Sequence, residues 1–245
     1  PREIGMLKSL IDLNLGFNNL MGSIPTSIGN LGNLTFLYLY WNNLSGRIPL
    51  EMNNLIHLKH FQIAYNKLSG HIPQNICLSG SLEYFAARNN YFTGPISRSL
   101  KNCTSLYRVR LERNQLTGNV SKDFGIYPNL DYIDLSYNKF YGELSDKWGQ
   151  CRNLTSLKIS NNNISGVIPS KIGEATQLHI MDLSSNHLVG KIPKNLGRLN
   201  FFFELSLNDN KFSGEIPAEI GKLSDLAYLN LATNNLSGLI PKQLG

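Results

Sequence analysis

An asparagine returns every 24 residues along the chain, at Asn18, Asn42, Asn66, Asn90, Asn114, Asn138, Asn162, Asn186, Asn210 and Asn234. A glycine follows four residues behind each, from Gly22 to Gly238, and the register never slips. A strict period in the range of roughly 20–50 residues means an array of small units that are stable only when stacked. It also separates recurring scaffold positions from varying positions, where function is expected.

One unit, Leu7 to Asn30, has apolar residues at Leu7, Leu10, Leu13, Leu15, Leu20, Ile24 and Ile28. Leu13 and Leu15 alternate with variable residues, the pattern of a strand with one buried face. The remaining spacing fits neither a long helix nor a second full strand. Asparagine offers a donor and an acceptor and tolerates tight turns, so ten in register can form a ladder that bonds the backbone where each strand turns away. The glycine suits a second sharp turn. A proline follows at Pro25, Pro49, Pro73, Pro169, Pro193, Pro217 and Pro241, but the column reads Ser97, Ser121 and Ser145 in the middle units. That change, with Ala87 in a leucine column, predicts a relaxed scaffold there.

The run Leu34-Thr35-Phe36-Leu37-Tyr38-Leu39-Tyr40-Trp41-Asn42-Asn43-Leu44-Ser45-Gly46-Arg47-Ile48-Pro49 resembles the plant-type leucine-rich repeat. The resemblance covers essentially all 245 residues. It implies an α/β solenoid: a right-handed curved superhelix of ten 24-residue plant-type repeats with a parallel β-sheet on its concave side. Repeats start at 7, 31, 55, 79, 103, 127, 151, 175, 199 and 223, and residues 1–245 are expected to form a single solenoid. Ten strands about 4.8 Å apart make a sheet about 45 Å long.

Pro1 aligns with Pro25 and Gly245 with Gly221, both mid-repeat, and no polar cap is visible at either end. The expectation is therefore an uncapped excerpt of a longer ectodomain, with apolar edges that aggregate in isolation. The net charge of +6 is compatible with anionic partners. Without a basic run or a recognised binding module, it does not point to nucleic acid. Sequons occur at Asn33, Asn43, Asn102, Asn119, Asn153, Asn163 and Asn235, none on a side chain expected to point out of the concave sheet. Their placement favours an extracellular glycoprotein with an open strand face. Cys103 and Cys151 lie two repeats apart, too far to bridge. Cys77 lies one repeat from Cys103, offset by two residues, leaving either a Cys77–Cys103 disulfide or two free thiols.

Residues flanking the buried strand positions are expected on the concave face. Successive repeats display Phe36, Tyr38, Tyr40 and Trp41; His60, Gln62, Ala64 and Tyr65; Tyr84, Ala86, Arg88 and Asn89; Arg108, Arg110, Glu112 and Arg113; then Tyr132, Asp134, Ser136 and Tyr137. Aromatic and arginine side chains, the types enriched in binding hot spots, thus concentrate in repeats two to six. The alternative is that the aromatics only stack on neighbouring rungs. Arg108 and Arg110 flank Val109, which places both guanidinium groups on one face at about 6.5–7 Å Cα spacing. Together they can grip one carboxylate, sulfate or phosphate, with Arg88 and Arg113 adding positive field. Equally, they can pair internally with Asp134 and Glu112.

An R-x-R pair on one concave strand resembles the motif with which plant peptide-hormone receptor kinases hold a peptide's C-terminal carboxylate. The runs Leu106–Asn114 and Trp148–Leu157 resemble the receptor-like kinases of the MDIS-interacting subgroup. The resemblance implies a peptide or protein ligand, a co-receptor kinase ectodomain as partner, and a parent protein held in the plasma membrane by one span outside this chain. It also implies a Ser/Thr kinase domain elsewhere in that parent. Secreted polygalacturonase-inhibiting proteins, also similar, give a second reading, and a plain interaction scaffold a third. No phosphate-cradling loop is present, and His179, Asp182, Ser184 and His187 lie along one strand and its exit without convergent spacing. No catalytic site, metal site or cofactor is expected.

Overall fold

The computed structural model describes residues 2–244; Pro1 and Gly245, to which the alignment of the ends was referred, lie outside them. The chain divides into two compact units, 1–118 with 123–125 and 119–122 with 126–245. Each is a stack of 24-residue turns.

In the first unit the strands Asp12–Asn14, Phe36–Tyr38, His60–Gln62, Tyr84–Ala86 and Arg108–Arg110 pair in parallel. Each residue faces its counterpart 24 positions on: Leu13 opposite Leu37, Phe61 opposite Phe85, Phe85 opposite Val109. In the second unit Tyr132–Asp134, Ser156–Lys158, Ile180–Asp182, Glu204–Ser206 and Tyr228–Asn230 do the same. The core is the column beneath each sheet, with Leu37, Phe61, Phe85, Leu157, Met181 and Leu205 fully buried. Removing such columns from water is what makes stacking favourable, because one turn alone cannot cover them.

Asparagines inside the ladder bond both ways, to the preceding turn and to their own. Asn66 accepts from the Leu44 amide at 2.9 Å and donates Nδ2 to the Leu39 carbonyl at 2.9 Å and the Ile63 carbonyl at 3.2 Å. Asn162 repeats the pattern in the second unit with Phe140, Leu135 and Ile159. The side chain thereby satisfies buried backbone groups exactly where strand pairing ends.

A second short strand per turn, such as Asn43–Gly46, Lys67–Gly70 and Lys211–Gly214, was not expected from the apolar spacing. It arises because the asparagine redirects the chain, so the next few residues run beside those of the adjacent turn. It closes on a left-handed glycine, for example Gly46 at φ +79°. The third side of each turn is mostly a single 3₁₀ turn, such as Thr26–Asn30 or Ser170–Glu174. A glycine within it lets turns approach closely: a Cβ at Gly29 would collide with the Glu51 carbonyl oxygen.

The prolines enter these turns with φ near −65°, as at Pro49 (−66°) and Pro169 (−67°), and cap nothing with a side chain. The serine substitutions do not relax the scaffold, contrary to expectation. Ser97 accepts from the Leu100 amide and caps the helix Arg98–Lys101, and Ser145 accepts from the Lys147 amide. Around Ser121 the cap moves to Asn119, whose Oδ1 accepts from the amides of Ser121 (3.0 Å) and Lys122 (3.2 Å). Proline's fixed dihedral is exchanged for a side-chain cap.

Candidate functional site

The strand face of the first unit carries an aromatic cluster built turn on turn. Phe36 and Tyr38 stack at 6.4 Å within one strand. His60 of the next turn meets the Phe36 ring edge-on at 5.0 Å, and Tyr84 follows at 5.8 Å from His60. The Tyr38 hydroxyl lies 3.1 Å from His60 Nδ1. Burial, then the Asp12 carboxylate, then Tyr40 and Tyr84, push the Tyr38 phenol above its ordinary range. Phe36, Tyr38, His60 and Tyr84 thus lie side by side and stack on one another.

Beside the strands runs a second column that periodicity did not reveal. The residue before each ladder asparagine has positive φ throughout: Phe17, Trp41, Tyr65, Asn89 and Arg113 at +52° to +57° in the first unit. Trp41 and Tyr65 are therefore turn residues, not strand residues, and their side chains leave the sheet along its edge. Trp41 stacks on Tyr65 with centroids 4.0 Å apart, and Phe17 lies 6.0 Å from Trp41 with planes 12° apart. The Arg88 guanidinium carbon sits 4.8 Å from the Tyr65 ring centroid, a cation–π contact. Small residues make room for large ones: a Cβ on Gly16 would touch the Tyr40 ring at 2.9 Å. Phe17 (71% exposed) and Trp41 (48%) leave their edges open to solvent.

Arg108 and Arg110 flank the buried Val109 as alternation requires, and both are half-buried. Glu112 is a correction. Placed among the displayed residues from sequence, its side chain is only 7% exposed. The strand ends at Arg110 and the chain turns at Arg113 (φ +57°); between them Leu111 and Glu112 are both buried, Glu112 against the guanidinium groups with which it pairs. Glu112 Oε1 accepts from Arg110 Nη2 at 2.6 Å and from Arg88 Nη1 at 3.3 Å. Ala64 and Ala86, also expected on display, are likewise buried. Arg113 is exposed on the turn.

In the second unit Tyr132 remains half-exposed, but Asp134 is 7% exposed rather than displayed. Its Oδ1 accepts from the Ser136 amide at 2.9 Å and Oδ2 from the Tyr132 hydroxyl at 3.4 Å. Asp182 does the same with Ser184, and His179 bonds the Gln177 carbonyl and stacks on Phe201. These residues close their own turns and do not converge on a common point. Among the described residues no group of three or more His, Cys, Asp or Glu could hold a metal.

Cys77 and Cys103 are joined by a disulfide with Cα atoms 6.0 Å apart, and Cys151 is a buried thiol. Ser79 stands in the column that Leu31 and Leu55 fill, so the bridge lies where the core loses a leucine. Of the sequons, Asn33, Asn43, Asn102, Asn153, Asn163 and Asn235 are exposed, whereas Asn119 is half-buried as a helix cap. No helix of the described residues is long and apolar enough to cross a membrane.

Family models described as leucine rich repeat match residues 128–188 and, in a second model, 9–31, 33–55, 203–223 and 225–245. No curated protein matches. Among solved structures, the chain is similar to the plant peptide hormone receptor RGFR1 in complex with RGF2. That match has 34% identity and a TM-score of 0.95, and covers 100% of this chain and 39% of that one. It is also similar to the Arabidopsis receptor kinase HAESA in complex with the peptide hormone IDA and the co-receptor SERK1. Here identity is 32% and the TM-score 0.64, covering 100% of this chain and 53% of that one. A plant ice-binding protein is similar at 29% identity and TM-score 0.81, covering 94% of this chain and 74% of its own. The chain thus spans well under two thirds of the receptor chains it resembles.

Proposed function

From the premise that this chain is a leucine-rich-repeat solenoid, we propose that it is the ligand-recognition part of a plant receptor-like kinase ectodomain. An extended peptide would lie on the strand face of the first unit. The observation that carries this reading is Arg108 and Arg110 on one face of a strand, beside a contiguous aromatic surface. Aromatic burial supplies affinity, and the arginines, which can donate several charge-assisted hydrogen bonds, supply direction. Phe36, Tyr38, Tyr40, Trp41, His60, Tyr65 and Tyr84 form the apolar part; Arg88, Arg108, Arg110 and Arg113 form the anion-binding part. The similarity to RGFR1 bound to RGF2 supports a peptide as ligand, and the similarity to HAESA with IDA and SERK1 supports a co-receptor as second partner.

The reading takes residues 1–245 as one solenoid drawn from a longer ectodomain, which the constant 24-residue register within each unit supports. It places the parent on the plasma membrane, its ectodomain outside the cell, with one span and a kinase domain outside this chain. The disulfide and the exposed sequons accord with that compartment. The MDIS-interacting subgroup is the proposed relation within the class, on the runs Leu106–Asn114 and Trp148–Leu157.

Peptide-library capture comparing the wild type with the Arg108→Ala/Arg110→Ala double variant tests the site. Capture should fall at least about tenfold, the loss expected of a charged hydrogen-bonded contact. Equal capture by both forms would remove the arginine pair from the account.

A further inference from the structure

We infer a second binding site on the first unit, outside the strand face: a hollow that takes a small organic acid, its carboxylate on Arg47 and His71 and its body against Leu50 and Pro73. The inference goes beyond the peptide reading and does not depend on it. The hollow lies where the short strands Asn43–Gly46 and Lys67–Gly70 end and the chain enters the next side of each turn. Its volume is about 350 Å³, at the low end of the range for small-molecule sites. Left-handed glycines shape it. Gly70 and Gly94 have φ of +80° and +74°. A Cβ at Gly70 would stand 2.8 Å from Arg47 Cγ, and one at Gly94 2.6 Å from His71 Cδ2. Arg47 and His71 therefore lie down over bare glycines of the turns that follow them, where any other residue would push them away.

The column that holds them reads Ser23, Arg47, His71, Pro95, Asn119, Glu143, Val167, Lys191, Glu215 and Leu239, so basic side chains on successive turns occur there once. The repeat does not require them. Among the described residues neither Arg47 nor His71 enters a hydrogen bond or an ion pair, and no acidic residue lines the hollow. Glu51, beside Leu50 in sequence, instead packs its Cβ toward Gly29 of the preceding turn. Gln74 adds a donor: its Oε1 accepts from the Arg98 amide at 3.2 Å, which leaves its NH2 group for a ligand. A guanidinium meets a carboxylate with two parallel N–H bonds, and an imidazole offers an N–H even when neutral. Leu50 is 70% exposed and, with Pro73, gives the hollow an apolar wall. A bare inorganic anion would leave that wall uncovered, whereas a carboxylate on a ring-sized body covers it. Convergent donors beside an apolar wall are the usual make-up of a small-molecule site.

The test is ligand-observed NMR on the whole chain at neutral pH. Sodium benzoate and sodium glucuronate are the probes, and which of them binds separates an aromatic acid from a sugar acid. Benzyl alcohol and glucose are their uncharged counterparts, and sodium sulfate is the bare oxyanion. At least one carboxylate should bind with a Kd of about 1 mM, and at least about tenfold more tightly than its uncharged counterpart. Arg47→Ala should weaken that binding at least about tenfold. Leu50→Asp, which sets a carboxylate at the apolar wall and keeps Arg47, should weaken it as much. Arg47 and Leu50 are both exposed, so both variants should fold, and circular dichroism checks that they do. Arg108→Ala/Arg110→Ala should leave the binding unchanged, so this site and the peptide reading stand or fall separately. The inference is overturned if neither carboxylate binds the wild type, if sulfate binds as tightly as both, or if folded Arg47→Ala binds as the wild type does. Loss of binding in Arg108→Ala/Arg110→Ala would place the acid on the strand face and overturn it as well.

Discussion

Trp41 lies on Tyr65 with ring centroids 4.0 Å apart and planes 17° from parallel. Both residues occupy the left-handed position before a ladder asparagine, so the stack follows from backbone geometry repeated at an interval of 24 residues. Such a pair is worth about 0.5–1.5 kcal/mol beyond its buried area. Tyr65→Ala should lower stability to urea by about that amount and also release Arg88 from its cation–π contact. Trp41 is half-exposed and Trp148 is 1% exposed. Acrylamide should therefore quench Trp41 selectively, and more strongly in Tyr65→Ala. Unchanged quenching would mean that the stack does not form in solution.

Asn66 is 8% exposed and bonds two turns of backbone at once, the preceding one through Leu44 and Leu39 and its own through Ile63. Asn66→Ala leaves those groups without their partner, at a cost of about 1–3 kcal/mol for each buried group left unsatisfied. With three such groups the summed effect should be at least about 3 kcal/mol in urea denaturation. Asn66→Asp should be at least as costly, because a carboxylate can accept from the Leu44 amide but cannot donate to the two carbonyls. Asn18, whose side chain bonds only within its own turn, should tolerate alanine with a loss below about 1 kcal/mol. Equal losses at Asn18 and Asn66 would contradict the ladder as the source of the stability.

Much of this was legible because the period is exact. Leu37, Phe61 and Phe85 could be assigned to the core, and Arg108 and Arg110 to one face, from alternation alone. What escaped did so for a physical reason. The left-handed column is filled by Phe17, Trp41, Tyr65, Asn89 and Arg113, so the backbone recurs there while the side chain does not. No residue type announces it. Glu112 was misplaced because strand alternation was carried past Arg110, where the strand ends; Asp134 is still a strand residue, and alternation does not say that its carboxylate is taken up by the Ser136 amide and the Tyr132 hydroxyl. Ser97 and Ser145 looked like losses of proline, but serine has its own way to begin a helical turn.

The disulfide between Cys77 and Cys103 closes a loop of 26 residues. Loop-closure entropy alone makes that worth about 3.5 kcal/mol. Cys77→Ser/Cys103→Ser should lower unfolding stability by about 2–4 kcal/mol. Cys151, by contrast, is buried, and that burial pushes its thiol pKa up, against a smaller opposing hydrogen bond from the Tyr127 amide. Thiolate is the reactive form, so Cys151 should resist iodoacetamide near pH 8 until the chain unfolds. Rapid alkylation of Cys151 in the native protein, read by peptide mass spectrometry, would contradict its placement in the core.

Tyr38 supplies a pH dependence whose sign can be worked out. Its folded pKa lies above the ordinary value of 10.0, from burial first and then from Asp12, Tyr40 and Tyr84. Between those two values the unfolded chain has lost the phenolic proton and the folded one has kept it. The unfolded state then binds fewer protons, so stability falls as pH rises. The contribution is complete below about pH 10 and is lost as pH climbs through the folded pKa. Tyr38→Phe has no phenol to ionise and should show a shallower decline above pH 10, at the expense of the contact to His60 Nδ1. Urea midpoints of the two proteins from pH 9 to 11 measure the difference, and parallel curves would show that Tyr38 is not the group responsible.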